Sequence, residues 1–208
     1  MTPAAPQAPR ALRLAYLAGP LMLATTLSGC LSLGGKAPPS LIRMTPTATA
    51  PAGTAMPITG GQAVTVLIPT APAEIATMRV PVHSGTSTLT YLKDAQYADF
   101  PTRLFRDVLA ETIRVRTGRP ALDIRDYHLS PGPKLSGRIT EYALNAQSMN
   151  VVFVFDAILQ HDATHSDTQR FEARVPVSAA NAASVAPALD QAANQVAVQV
   201  ADWVGAKP

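Results

Sequence analysis

Residues 149–160 read MNVVFVFDAILQ, with Met149, Val151, Phe153, Phe155, Ala157 and Leu159 at every second position. A period of two places all six on one side of an extended chain. Residues 168–177 repeat the pattern: Phe171, Ala173, Val175 and Val177 alternate with Arg170, Glu172, Arg174 and Pro176. Such alternation describes strands with one buried and one wet face. A third long β run, Lys134 to Asn145, precedes them, and short polar turns join all three, so an antiparallel meander is the simplest topology. Asp156 interrupts the first stretch; it is expected on the wet face or paired with an arginine.

Outward from this core, Val64 to Ile68 is β-branched and apolar until Pro69 ends it. Met78 to Val82 and Ser87 to Leu92 read as a hairpin turned by Ser84-Gly85, and Leu122 to Tyr127 as a shorter strand. Phe100, Leu104, Phe105, Val108, Leu109 and Ile113 fall at helical spacing, with Asp99 as expected N-cap and Pro101 in the first turn. Gly118 and Pro120 stop that helix. Val185, Leu189, Val196, Val200 and Trp203 form a second stripe among small alanines. The expected fold is α+β: a largely antiparallel sheet of about six or seven strands with two main helices packed on one face.

The N-terminal region has a different character. Arg10 and Arg13 precede an apolar stretch, Leu14 to Leu27, and then Leu27-Ser28-Gly29-Cys30. Positive charge, apolar core and small residues before a cut describe a secretory signal peptide over residues 1–29. The stretch is shorter than the ~20 residues a membrane span needs. A cut before cysteine resembles the lipobox of bacterial lipoproteins, which implies that Cys30 is the site of lipid attachment by diacylation. Two or three acyl chains anchor stably where one does not. Leu31, and not Asp, follows the cysteine; in that family this implies the outer membrane, lipid-anchored on the periplasmic side. Residues 30–62, rich in Pro, Ala and Thr, read mainly as a flexible linker that could reach on the order of 100 Å if fully extended; the alternative is a segment wrapped on the domain surface, with Leu41-Ile42 as a short edge contact. Residues 63–205 are then one domain.

The chain has 208 residues, with Lys+Arg 17 against Asp+Glu 14. Two of the positives leave with the expected signal and no acid does, so the mature chain is near neutral. No basic stripe with interleaved aromatics appears, which argues against nucleic acid. Cys30 is the sole cysteine, so no intramolecular disulfide can form.

No catalytic constellation emerges. There is no Gly-x-Ser-x-Gly elbow and no phosphate loop, and no cofactor is expected. His161-Asp162-Ala163-Thr164-His165 gathers two histidines and an acid, a set able to bind metal. The segment joins two β runs, however, so helical geometry is not expected; the reading is a solvated turn and no metal site is assigned. Tyr91, Tyr97 and Phe100 cluster before the first helix. Tyrosine suits places with an apolar body and a wet tip, so they are read either as a staple under the helix or as a partner-binding surface.

Thr77-Met78-Arg79-Val80-Pro81, Leu89-Thr90-Tyr91 and Ala95-Gln96-Tyr97-Ala98-Asp99-Phe100-Pro101 resemble motifs of the ABC-type transport auxiliary lipoproteins. Tyr97 stands where a tryptophan is common there, and Ala201-Asp202-Trp203 resembles the family's closing helix. The resemblance spans about residues 64 to 204. It implies a non-enzymatic component that docks a lipid-transport conduit at the membrane. Its partners would be an MCE-domain protein and, through it, an ABC permease and ATPase. A homo-oligomeric ring would match a tubular partner by symmetry. Rival readings are a lipoprotein binding a hydrophobic ligand by itself, an envelope-assembly or secretion pilot lipoprotein, and a metallohydrolase using His161 and His165.

Overall fold

The computed structural model describes residues 40–207; the expected signal, Cys30 and Leu31 lie outside them. Seven strands form one sheet: β1 (Val64–Val66), β2 (Arg79–His83), β3 (Leu89–Gln96), β4 (Ala121–Leu122), β5 (Lys134–Asn145), β6 (Asn150–Gln160) and β7 (Ser166–Pro176). Two α-helices, α1 (Pro101–Thr117) and α2 (Ala182–Gly205), and a 3-10 helix (Ile124–Leu129) complete the described residues.

The long strand β5 organises the sheet. One edge pairs antiparallel with β6, which pairs antiparallel with β7, as the meander reading expected. The other edge is shared. Its start takes β1 in parallel, Val66 opposite Leu135, and its end takes β2 in parallel, Val82 opposite Leu144. β4 adds to β1 in parallel and β3 to β2 antiparallel. The sheet is therefore mixed, a correction to the largely antiparallel expectation. Parallel neighbours need a crossover connection, and here the chain from β1 to β4 includes α1. The expected strand from Leu122 to Tyr127 is also corrected. It stops at Leu122 because the Asp123 carboxylate accepts from the backbone N–H of Arg125 and caps the 3-10 helix.

Both helices cover one face, as expected. Phe105 of α1 meets Phe153 and Phe155 edge-on, with ring centroids 4.7 and 5.2 Å apart. Trp203 of α2 meets Phe171 on the same sheet face at 5.6 Å. Such pairs contribute about 0.5–1.5 kcal/mol beyond area burial. Helix α1 ends at Gly118, whose φ of 68° suits glycine, and its N–H closes on the Arg114 carbonyl. At its start Phe100, and not Asp99, takes the N-cap position; Asp99 instead accepts from the Phe100 N–H. Asn181 caps α2 by accepting from the Ser184 N–H at 3.0 Å. Arg116 and Asp202 tie the ends of the two helices with two hydrogen bonds of 2.6 and 3.0 Å.

Gly137 fixes how β5 and β6 meet. A Cβ there would lie 2.3 Å from the Asp156 carbonyl oxygen and 2.6 Å from the Phe155 ring. The ring occupies the place of the missing side chain. Two residues further, a bulge between Ile139 and Glu141 shifts the register. The extra residue changes parity, so Ile139 before it and Tyr142 and Leu144 after it are all buried.

The segment read as linker is structured over part of its length. The Ile42 N–H donates to the Gln96 carbonyl, and the Ala98 N–H returns the bond to the Ile42 carbonyl. Ile42 and Met44 join the core. The backbone N–H groups of Thr45, Thr47 and Ala50 then donate to side chains of Asp190, Asn194 and Glu111 at 2.7–2.9 Å. Residues 42–50 thus form a strap from β3 across α2 to α1. Pro46 and the threonines suit an extended strap as well as a leash, and the side-chain acceptors on the helices decide between them.

Candidate functional site

The sheet face away from the helices is uncovered over the first half of β5, the second half of β6 and the start of β7. There a groove of about 790 Å³ is lined by Leu67, Ile68, Ser136, Arg138, Ile158 and Arg170, among others. Its position follows from strand parity. Odd residues of β6 face the helices, so Asp156 and Ile158 face outward, in register with Arg138 and Ser136 on β5 and with Arg170 and Thr168 on β7.

A row of three charges crosses the groove. Arg170 donates to both oxygens of Asp156, at 2.6 and 2.8 Å, and this holds the Asp156 carboxyl below its ordinary value. Asp156 is thus on the wet face and paired with an arginine, as its sequence suggested. Arg138 is exposed, and among the described residues no carboxylate pairs with it. Beside the row stand two exposed aliphatics, Ile68 at 54% and Ile158 at 41%. The groove therefore offers an apolar floor with one uncompensated cation at its rim, a chemistry that suits an amphipathic or acidic partner. The sequence carried a signal for it: Ile158 is an apolar residue at a position that alternation assigns to water.

The aromatic cluster of the sequence reading separates. Tyr97 is 1% exposed and its ring stacks on Tyr142 at 5.7 Å. Burial raises both phenol pKa values, so both side chains stay neutral. A ring with no surface cannot touch a partner, which corrects the partner-binding reading of Tyr97 and leaves the staple. Tyr91 is half-buried beneath the Arg79 guanidinium, 3.8 Å above its ring. Phe100 is 38% exposed, with Arg103 at 5.5 Å. Only these two retain surface. His161 and His165 do come together at the β6–β7 turn, their ring centroids 5.1 Å apart.

A sequence model of the family described as the ABC-type transport auxiliary lipoprotein component matches residues 45–201. The chain belongs to this family. The match begins inside the strap. A Xanthomonas campestris protein, 20% identical, covers 79% of this chain over 94% of its own, with a TM-score of 0.64. An uncharacterised protein at 13% identity covers 72% of this chain and 95% of its own, at 0.59. These likenesses show a shared fold. A dodecameric PelC from Paraburkholderia phytofirmans, 13% identical, covers 71% of this chain and 92% of its own at a TM-score of 0.37. No curated protein matches the chain. Among the described residues, no helix is long and apolar enough to cross a membrane.

Proposed function

We propose that this auxiliary component is a non-catalytic lipoprotein, acylated at Cys30 and held on the periplasmic side of the outer membrane, that docks an MCE-type lipid-transport conduit. The observation that carries the reading is the family match over residues 45–201. The groove supports it physically: apolar floor, free Arg138 and a rigid three-strand bed are features of a docking surface. Tyr91 and Phe100 are proposed as additional contacts. Energy for transport would come from the partner ATPase.

The test is affinity capture of the native acylated protein from membranes, with mass spectrometry of co-purifying proteins. Recovery of an MCE-domain protein, reduced by Ile158→Glu in a folded variant, is the expected result. Recovery of secretion or cell-wall partners in its place would overturn the reading. The groove's volume also favours a second reading, a hydrophobic ligand bound by the domain itself; native mass spectrometry of the purified protein would reveal an amphiphile lost on the same substitution.

A further inference from the structure

We propose that His161, His165 and Asp167 form a binding site for a divalent transition ion of the zinc class, open on one side to solvent. This assignment is independent of the docking reading. The acid that completes the set is Asp167 on β7, not the Asp162 that lies between the histidines in sequence.

The hairpin brings the three groups together. His161 directly follows β6 and His165 directly precedes β7, and the His161 N–H donates to the His165 carbonyl at 3.0 Å. Asp162 is occupied elsewhere: its Oδ1 accepts from the Thr164 N–H, the Thr164 hydroxyl and the His165 N–H at 2.7–2.8 Å. That turn holds the two imidazoles on one side of the hairpin. Nε2 of His161 lies 3.2 Å from Oδ2 of Asp167, and Nε2 of His165 lies 4.0 Å from Oδ1. One ligand atom from each residue falls within 4.8 Å of the others. Around a tetrahedral ion with bonds of about 2.0–2.2 Å, ligand atoms sit roughly 3.3–3.5 Å apart. One pair, His161 and Asp167 at 3.2 Å, is already close to that spacing. The other distances close by movement of His165, whose side chain is 65% exposed and free to turn, while His161 and Asp167 are more enclosed.

Two imidazoles and one carboxylate select zinc-class ions over Mg²⁺ and Ca²⁺, which prefer all-oxygen shells. Three protein ligands leave a coordination position for water. The structure also shows what the ion would have to displace. The Lys207 ammonium stands 3.0 Å from Oδ2 of Asp167 and occupies the carboxylate as a monovalent cation. A divalent ion competes with it directly, so the site couples metal occupancy to the last residues after α2.

The experiment is a titration of ZnCl₂ into the tag-free, full-length protein after chelator treatment, followed calorimetrically and by competition with a zinc-binding dye. One equivalent bound with micromolar affinity is expected. His161→Ala and Asp167→Asn should each weaken binding at least tenfold, and Lys207→Met should tighten it. MgCl₂ should give no heat. Thermal melts in chelator establish that each variant is folded. Substitution with Co²⁺ supplies a second readout, visible absorption bands of a four- or five-coordinate site that His165→Ala alters. No binding at 100 µM zinc, or binding unchanged in the folded His161→Ala/Asp167→Asn double variant, overturns the assignment.

Discussion

Oδ1 of Asp190 accepts the backbone N–H of Thr45 at 2.7 Å, across 145 residues of sequence. One turn further along α2, Asn194 repeats the contact twice. Its amide oxygen accepts from the Thr47 N–H at 2.9 Å and its amide nitrogen donates to the Thr45 carbonyl at 3.0 Å. Asn194 is almost fully buried, so a truncated side chain would leave these strap groups unpaired. Asn194→Ala is expected to cost about 1–3 kcal/mol. Urea unfolding measures the loss, and limited proteolysis should show residues 42–50 becoming cleavable before the rest of the domain.

Gly137→Ala places a methyl group against the Asp156 carbonyl and the Phe155 ring. Neither can yield without opening the β5–β6 ladder or displacing an aromatic that also packs on Phe105. Overpacking of this kind costs about 1–3 kcal/mol. Chemical denaturation should show a lower midpoint, and a wild-type midpoint would mean that the ring moves freely.

The hydroxyls of Tyr97 and Tyr142 are both buried, and neither makes a hydrogen bond of good geometry within the described residues. Removing an unpaired buried polar group relieves its desolvation cost. Tyr142→Phe is therefore expected to be neutral or stabilising, whereas Phe105→Ala, which opens the aromatic cluster, should cost about 3–5 kcal/mol. Thermal melts of the two variants compare them directly, and a loss above about 1 kcal/mol in Tyr142→Phe would require a partner for that hydroxyl.

Acid should weaken the fold through Asp123. Its carboxyl is held below the ordinary value of 3.8, first by the Arg125 N–H and then by the Arg125 side chain, with Arg106 adding a smaller pull. A folded-state value below the unfolded one stabilises the protein above the unfolded pKa. That contribution is lost as pH falls through the folded value. Melting temperature should thus decline below about pH 4, and Asp123→Asn should be destabilised at neutral pH with a flatter acid limb.

The meander was legible because β6 and β7 alternate cleanly and their helix-facing residues have no competing role, while β5, whose alternation breaks at the bulge between Ile139 and Glu141, was legible only as a long β run ahead of a short polar turn. β6, β7 and the helix-covered face follow from period alone. The parallel pairings of β1, β2 and β4 did not, since strands of two to five residues carry no direction and their neighbours are set by the crossover that includes α1. Leu122 to Tyr127 misled because its apolar residues suit a strand until Asp123 captures the next backbone N–H. Tyr97 misled in another way. A tyrosine beside Phe100 resembles a surface pair, but the Ile42 bridge and the Tyr142 ring enclose it. Among the candidate site residues, Asp156 was readable from its break in the apolar run, whereas Arg138 lies on a neighbouring strand whose register only the ladder fixes.

The strap has a further consequence, one of stand-off height. With the fold closed down to Ile42, only about ten residues separate Cys30 from Ser40, and a chain of that length spans at most about 35 Å. On the lipoprotein reading proposed above, an acyl group on Cys30 would then keep the domain near its own bilayer, as on a short mooring, with no slack to cross the periplasm. Any bridge to the opposite membrane would have to be built by the partner reaching in.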